Sequence, residues 1–282
     1  MSDDEIFVLI VSGIIAVIGW VMYYSRLAGL TRLGGGMGNR ICLAVFPGLG
    51  AVGILLTLML GASYDVRASG TYLSFYLLLG LAWMRVSGWA MGLLGIFWRD
   101  DALERRNLSA TLAIAGAWLG LAACYAGGNI GDGPGWWCVV YASGLATLAW
   151  FGLWAVVQWL GDVAERVTID RDLATGIRLG GLLLALGLVC GRAAAGDWVS
   201  ASATSADLVL AAWPALLLAV GAGLIERWAG GYAWRPGERR GPWLRLGEDV
   251  VVALLYLLAA GVIIYLAGPL SENPAWDEAW GL

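Results

Sequence analysis

Hydrophobic residues along this chain are collected into eight long runs, separated by short polar connections. Each run holds about 19 to 27 mostly apolar residues, and an α-helix needs about 20 residues to cross the hydrocarbon core of a bilayer. The pattern therefore predicts an all-α, polytopic membrane protein. Its eight predicted transmembrane helices are Ile6–Tyr24, Ile41–Ala62, Tyr72–Trp98, Leu108–Ala126, Trp136–Leu160, Leu173–Ala195, Asp207–Ile225 and Val250–Gly268.

Arginine alone sets the predicted orientation. All 17 basic residues are Arg, because the chain contains no lysine and no histidine. Thirteen of them lie on the connections that follow odd-numbered runs, whereas the opposite side carries only Arg67 and Arg192. Since cytoplasmic connections are enriched in Arg and Lys, we expect the odd connections in the cytoplasm and both termini outside. The thirteen are Arg26, Arg32, Arg40, Arg99, Arg105, Arg106, Arg166, Arg171, Arg227, Arg235, Arg239, Arg240 and Arg245.

Composition narrows the environment further. Hydrophobic residues make up 60% of the chain, more than a water-soluble fold of this length could hide. The absence of Lys beside abundant Ala, Gly and Arg is typical of GC-rich bacterial genomes, so we expect the lipid bilayer to be a bacterial inner membrane. The net charge of −4, with no basic or aromatic nucleic-acid surface, argues against nucleic acid as a partner.

Each even-numbered run begins at an Asn or Asp residue, namely Asn39, Asn107, Asp172 and Asp249. Such a side chain can accept hydrogen bonds from the unpaired N–H groups at a helix N-terminus, so all four are predicted N-caps. In the first three copies a glycine follows nine residues later, as a place where a neighbouring backbone can approach closely. We therefore interpret the even helices as the tightly packed interior, and a pair of helices as the repeating unit.

The stretch Asn107-Leu108-Ser109-Ala110, followed by an apolar helix with Gly116, resembles a bacterial inner-membrane family catalogued as domain of unknown function 350. Members of that family usually have four helices, with an Asn-x-Ala-Ala motif opening the second and fourth. The resemblance implies two such units in tandem, residues 1–134 and 135–282, arranged as two parallel four-helix repeats. It implies an inner-membrane location and no settled biochemistry.

Missing residue types exclude several chemistries. Without histidine the chain cannot form a bis-imidazole haem site or a Ser-His-Asp triad, and without lysine it cannot form a Schiff base. We expect no cofactor, no metal and no enzymatic activity. Asp207 and Glu226 are expected at the two ends of the seventh helix, and no acidic residue is predicted near the centre of a span. This distribution disfavours a transporter driven by protons or Na⁺.

Arg85 and Arg178 lie inside predicted spans and are the candidate ligand-binding residues. A guanidinium at mid-bilayer costs roughly 2.5–3.5 kcal/mol on insertion scales, so each must be compensated. Arg178, about a turn and a half inside its span, is expected to snorkel to the cytoplasmic surface. Arg85 is more central, and two interpretations stay open: a structural pin that binds carbonyl groups, or a site for an anionic solute or lipid headgroup.

Two classes of function are consistent with these features. One is permeation of a small solute or anion through a channel or carrier. The other is a non-catalytic membrane component that binds lipids or partner proteins, including further copies of itself as a homo-oligomer.

Overall fold

The computed structural model describes residues 1–29, 37–232 and 242–273 of the chain. Within these ranges eight helices are long and apolar enough to cross a membrane, which confirms the predicted all-α polytopic fold. Arg32, Arg235, Arg239 and Arg240, which contribute to the predicted orientation, lie outside the described residues.

In the part of the chain that the structure describes, short helical segments lie in three of the connections between the eight spanning helices. The long helices are α1 (Asp3–Gly29), α2 (Met37–Gly61), α4 (Gly70–Ala90), α5 (Leu108–Gly127), α6 (Trp136–Gly161), α8 (Leu173–Ala193), α9 (Ala201–Tyr232) and α10 (Pro242–Leu266). The short segments are α3 (Tyr64–Ala68), a 3₁₀ turn (Met91–Leu94), a π-helix (Trp98–Glu104) and α7 (Val163–Thr168).

The spans form two sets of parallel helices that run in opposite directions. In the first set, α2 packs against α5, α5 against α8, and α8 against α10, so these four helices form a row. The second set contains the pairs α1–α4 and α6–α9, which are joined by a 3.0 Å hydrogen bond from Trp83 Nε1 to Thr147 Oγ1. We call the end of the bundle at which α5 and α8 begin the cap end.

Glycine brings α5 and α8 into close contact in the middle of the row. A Cβ atom at Gly120 would lie 2.5 Å from the carbonyl oxygen of Leu183, and one at Gly180 would lie 2.5 Å from that of Leu112. Within the most apolar part of each span, 78% of α5 and 67% of α8 are buried, against 33% or less for the others. The prediction of a packed interior is therefore confirmed for α5 and α8. It is wrong for α2 and α10, which lie at the two ends of the row.

Features that repeat with each two-helix unit are present at both ends of the bundle. At the cap end, Arg106 and Arg171 adopt left-handed backbone conformations, with φ of 54° and 53°, immediately before the residues that cap α5 and α8. At the opposite end, short backbone bridges pair Ala62 with Gly131 and Gly196 with Ser271. Successive units are joined there by hydrogen bonds of 2.9 to 3.1 Å, among them Gly131 N to Gly61 O and Gly196 N to Ile130 O.

The proposed division at residues 134 and 135 remains a prediction. The α5–α8 contact, the closest in the row, crosses that boundary.

The third and seventh spans differ from the predicted ones in ways that change the position of charged residues. The third span ends at Leu94, where Gly95 takes up a left-handed conformation with φ of 85°, so Arg85 lies nearer the cap end than expected. The seventh span is longer than predicted, because α9 extends from Ala201 to Tyr232. Asp207 and Glu226 therefore lie inside a helix and not at its ends.

Candidate functional site

Arg178 is buried in the bundle and paired with two carboxylates. Its Nε donates to Glu226 Oε1 at 2.6 Å and its Nη2 to Glu226 Oε2 at 2.8 Å, while Nη1 donates to Asp249 Oδ1. The side chains of Arg178, Glu226 and Asp249 are only 8%, 3% and 12% exposed. The expectation that Arg178 snorkels to the surface was wrong, because α9 and α10 pack on α8 at this depth and supply its counterions.

Four further side chains complete what we call the charge cluster. Thr175 Oγ1 donates to Asp172 Oδ2 at 2.7 Å or to Glu226 Oε2 at 3.1 Å, and it accepts from Arg178 Nη2 at 3.2 Å. Arg166 Nη1 lies 3.7 Å from Glu226 Oε2. The cluster consists of Arg166, Asp172, Thr175, Arg178, Glu226, Asp249 and Tyr256.

The elements of the cap end position these groups. Asp172 is the N-cap of α8 and accepts from the backbone N–H groups of Ala174 at 3.2 Å and Thr175 at 3.4 Å. Glu226 approaches because the residue facing it, at the end of α6, is Gly161, where a Cβ would lie 2.8 Å from Glu226 Cβ. Asp249 was predicted to cap the eighth span, but it lies within α10 and is an ion-pair partner instead.

Electrostatically the cluster is nearly balanced. Two guanidinium groups face three carboxyl groups, and Arg178 forms a two-pronged interaction with Glu226 that fixes both side chains. Buried charges of this kind are tolerated only when paired and hydrogen-bonded, and removal of one partner leaves the other uncompensated. The arrangement can therefore hold α8, α9 and α10 together, and it can respond to any change in the charge of a carboxyl group.

Tyr256 adds an unpaired polar group to this site. Its hydroxyl is buried and has no hydrogen-bond partner among the described residues, and the side chain is 5% exposed. It lies on α10 seven residues after Asp249, two helical turns further along the same face of the helix. Because an unpaired buried hydroxyl is costly, we regard it as available to a group that enters the cluster.

The other predicted caps behave differently from one another. Asn107 is the N-cap of α5: its Oδ1 accepts from Ala110 N at 3.3 Å, and its Nδ2 donates to Val167 O at 2.5 Å. Asn39 is not a cap, because α2 already begins at Met37; its Nδ2 donates to Ala102 O at 3.3 Å. The side-chain amide thus reaches the next helical connection in both copies, even where the cap is lost.

We expect Asn107→Ala to lower the stability of the folded protein by about 1–2 kcal/mol, since it removes a cap and a buried bond to Val167. Equilibrium unfolding in mixed detergent micelles measures this loss. The matched control is Asn39→Ala, which loses only the bond to Ala102 and should cost less. Equal losses for the two variants would show that capping by Asn107 contributes nothing.

Arg85 lies on α4 against α1, far from the charge cluster. Its Nε donates to Gly19 O at 3.0 Å, and its guanidinium carbon lies 5.8 Å and 6.0 Å from the ring centroids of Tyr23 and Trp98. Nη1 is buried without a hydrogen-bond partner, and no carboxylate within the described residues pairs with it. The side chain borders an apolar groove lined by Ile14, Ile15, Ile18, Gly19, Val86 and Trp89.

The sequence interpretation missed Arg166, Thr175, Glu226 and Tyr256 as members of a site. No usable signal for Glu226 was present in the sequence, because the predicted seventh span ends at Ile225 and leaves this residue outside the membrane. Its depth beside Arg178 follows only from the observed length of α9.

Comparison of the chain with protein-family models found no match, and comparisons with curated proteins and with solved structures also found none.

Proposed function

We propose that this multi-pass membrane protein carries a small solute across the bilayer and that the charge cluster is its working centre. The observation that carries the proposal is the burial of Arg178, Glu226 and Asp249 together inside spanning helices. Ionisable residues in such positions are expensive to maintain and typically mark a transport pathway or a proton relay. The proposal assigns no enzymatic activity to the chain.

The geometry suggests how the cluster would take part in transport. Arg178 lies on α8 and holds α9 through Glu226 and α10 through Asp249. A change in either partner would release one helix while the other stays bound. The closely packed α5–α8 pair would serve as the fixed part, because its glycine contacts leave no room for a pore between these two helices.

Flux into liposomes tests the proposal directly. Purified protein is reconstituted, and uptake of sodium chloride, potassium nitrate, ammonium, glycine and glycerol is followed by stopped-flow light scattering. We expect at least one solute to enter faster than it enters protein-free liposomes, and Glu226→Gln to reduce that rate. Rates equal to those of protein-free liposomes for the whole panel would contradict permeation.

We also propose an inner-membrane location with the cap end in the cytoplasm, supported by the arginine distribution. Similarity to domain of unknown function 350, carried by Asn107–Gly116, is consistent with this location and is itself part of the proposal. Both termini would then lie outside the cytoplasm.

Cysteine labelling in intact cells checks the orientation. Ser202→Cys is exposed at the start of α9 and should react with an impermeant maleimide. Glu104→Cys is equally exposed but lies at the cap end, so it should react only after the membrane is permeabilised. The unchanged chain, with its four native cysteines, provides the background. The reverse pattern would place the cap end outside.

A second candidate function, recognition of lipid, is favoured by the surroundings of Arg85. A lone guanidinium beside an apolar groove between α1 and α4 suits an amphiphile with an anionic group. Copurified lipid, measured by mass spectrometry, should be enriched in anionic species in the unchanged protein and less so in Arg85→Met. An identical lipid profile in both would remove this alternative.

A further inference from the structure

We infer that the charge cluster binds one proton, which Asp172 and Glu226 share through the hydroxyl group of Thr175. The inference deepens the proposed function, because it names the proton as the ion that the cluster would couple to transport. The inference depends on the proposed function only where it gives the proton a role in solute transport. Binding of the proton is a property of the folded protein and can be measured without transport.

The hydrogen-bond contacts of Thr175 Oγ1 are the first evidence for a bound proton. The oxygen lies 2.7 Å from Asp172 Oδ2 and 3.1 Å from Glu226 Oε2, and it accepts a hydrogen bond from Arg178 Nη2 at 3.2 Å. A threonine hydroxyl has one hydrogen to donate and two lone pairs that accept. It can therefore donate to only one of the two carboxyl groups. The second contact becomes a full two-centre hydrogen bond when that other carboxyl group carries a proton and donates to Thr175 Oγ1.

The charges of the whole cluster also indicate one proton. Arg166 lies on α7, Asp172 and Arg178 on α8, Glu226 on α9, and Asp249 and Tyr256 on α10. Two positive and three negative groups leave one negative charge in excess. The backbone N–H groups of Ala174 and Thr175 offset part of this charge at Asp172, and one bound proton would neutralise the remainder.

Tyr256 is an independent indication that something enters this site. Its hydroxyl is buried and has no hydrogen-bond partner among the described residues, and it lies on the same helix as Asp249, seven residues further on. A protonated carboxyl group at Glu226, once released from Arg178, would offer it a partner. A metal ion would be repelled by the two guanidinium groups, so the chemistry favours a proton.

The different exposure of the two carboxyl groups indicates a route for the proton. Asp172 is partly exposed at the start of α8, whereas Thr175 and Glu226 are buried. The O–H bond of protonated Asp172 breaks as a new one forms on Thr175 Oγ1. The original O–H bond of Thr175 breaks as a new one forms on Glu226 Oε2. One proton thus moves from Asp172 to Glu226 without any other reactant.

Arrival of the proton changes what holds the helices together. Neutral Glu226 binds the Arg178 guanidinium more weakly than the carboxylate does, while the pairing of Arg178 with Asp249 is kept. The contact between α8 and α9 is then loosened and that between α8 and α10 is retained. Protonation therefore selects which helix is free to move.

Infrared spectroscopy of the purified, folded protein during a pH titration tests the inference. We expect the carbonyl band of one protonated carboxylic acid to appear and vanish with pH, and to be lost in Glu226→Gln. Thr175→Val, which keeps the side-chain shape and removes the hydroxyl, should shift the midpoint of that band by about one pH unit or more. Thr111→Val is the matched control, because the hydroxyl group of this buried threonine donates to the backbone carbonyl of Asn107 and not to a carboxyl group.

The outcomes separate the two proposals. A titrating band that persists unchanged in both Glu226→Gln and Thr175→Val, with both proteins folded, would place the proton elsewhere and overturn the inference. If Glu226→Gln does not fold, the Thr175→Val shift measured against Thr111→Val decides alone. A band that behaves as expected in a protein without flux would keep the proton site and remove permeation. Flux in a protein that shows no such band would keep permeation and remove the proton site.

Discussion

Replacing Arg178 by methionine is expected to reduce the free energy of unfolding by about 3–5 kcal/mol, the cost typical of breaking a buried ion pair. The substitution leaves Glu226 and Asp249, which are 3% and 12% exposed, without the cation that both of them bind. Arg166 can offset little of this, since its Nη1 lies 3.7 Å from Glu226 Oε2, beyond hydrogen-bond distance. Equilibrium unfolding in mixed detergent micelles measures the loss.

The matched control is Arg227→Met, which removes an arginine side chain from the exposed position next to Glu226 on α9. It should change stability by well under 1 kcal/mol, as exposed charges generally do. The double variant Arg178→Met with Glu226→Met should lose less than the two single variants added together, because each single change strands a charge that the double change removes. Equal effects of Arg178→Met and Arg227→Met would mean that the cluster does not stabilise the fold.

The second large effect is expected for Gly120→Ala in the middle of α5. The new methyl group would lie 2.5 Å from Leu183 O and 3.0 Å from Trp150 Nε1, which donates to that same carbonyl. The helices must separate or shift, at a cost of about 1–3 kcal/mol or more. We expect a lower unfolding midpoint in detergent and a smaller yield of folded protein.

Gly152→Ala is the control for this substitution. A Cβ at Gly152, on α6, meets nothing within 4 Å, so the change adds a methyl group without a clash. It should leave stability unchanged or raise it slightly, since alanine favours a helix more than glycine does. If Gly120→Ala were as stable as Gly152→Ala, close approach of α5 and α8 would not be required for folding.

Hydropathy was sufficient to locate all eight spans, because each must be long and apolar whatever its neighbours are. Prediction of the helix caps required more than hydropathy. Asn107 and Asp172 follow a left-handed arginine that ends the preceding segment, so their helices can begin nowhere else. Asn39 lacks such a stop and its helix begins earlier.

The charge cluster could not be predicted in the same way. Arg178 and Glu226 are 48 positions apart, and their contact depends on which spans are neighbours and on their relative depth. A pattern along one helix contains neither quantity. The lengthened α9 made the difference, because a helix that continues to Tyr232 places Glu226 beside α8 and not at the membrane surface.

The row has a consequence for the order of biosynthesis. Its helices follow one another in the chain, so each new pair can dock on the pair made before it, as in repeat proteins that grow from one end. Arg178, however, leaves the ribosome well before Glu226 and Asp249, and its span must enter the membrane with an unmatched cation. Until the last two spans are inserted, the guanidinium group of Arg178 lacks both carboxylates with which it is paired in the folded protein.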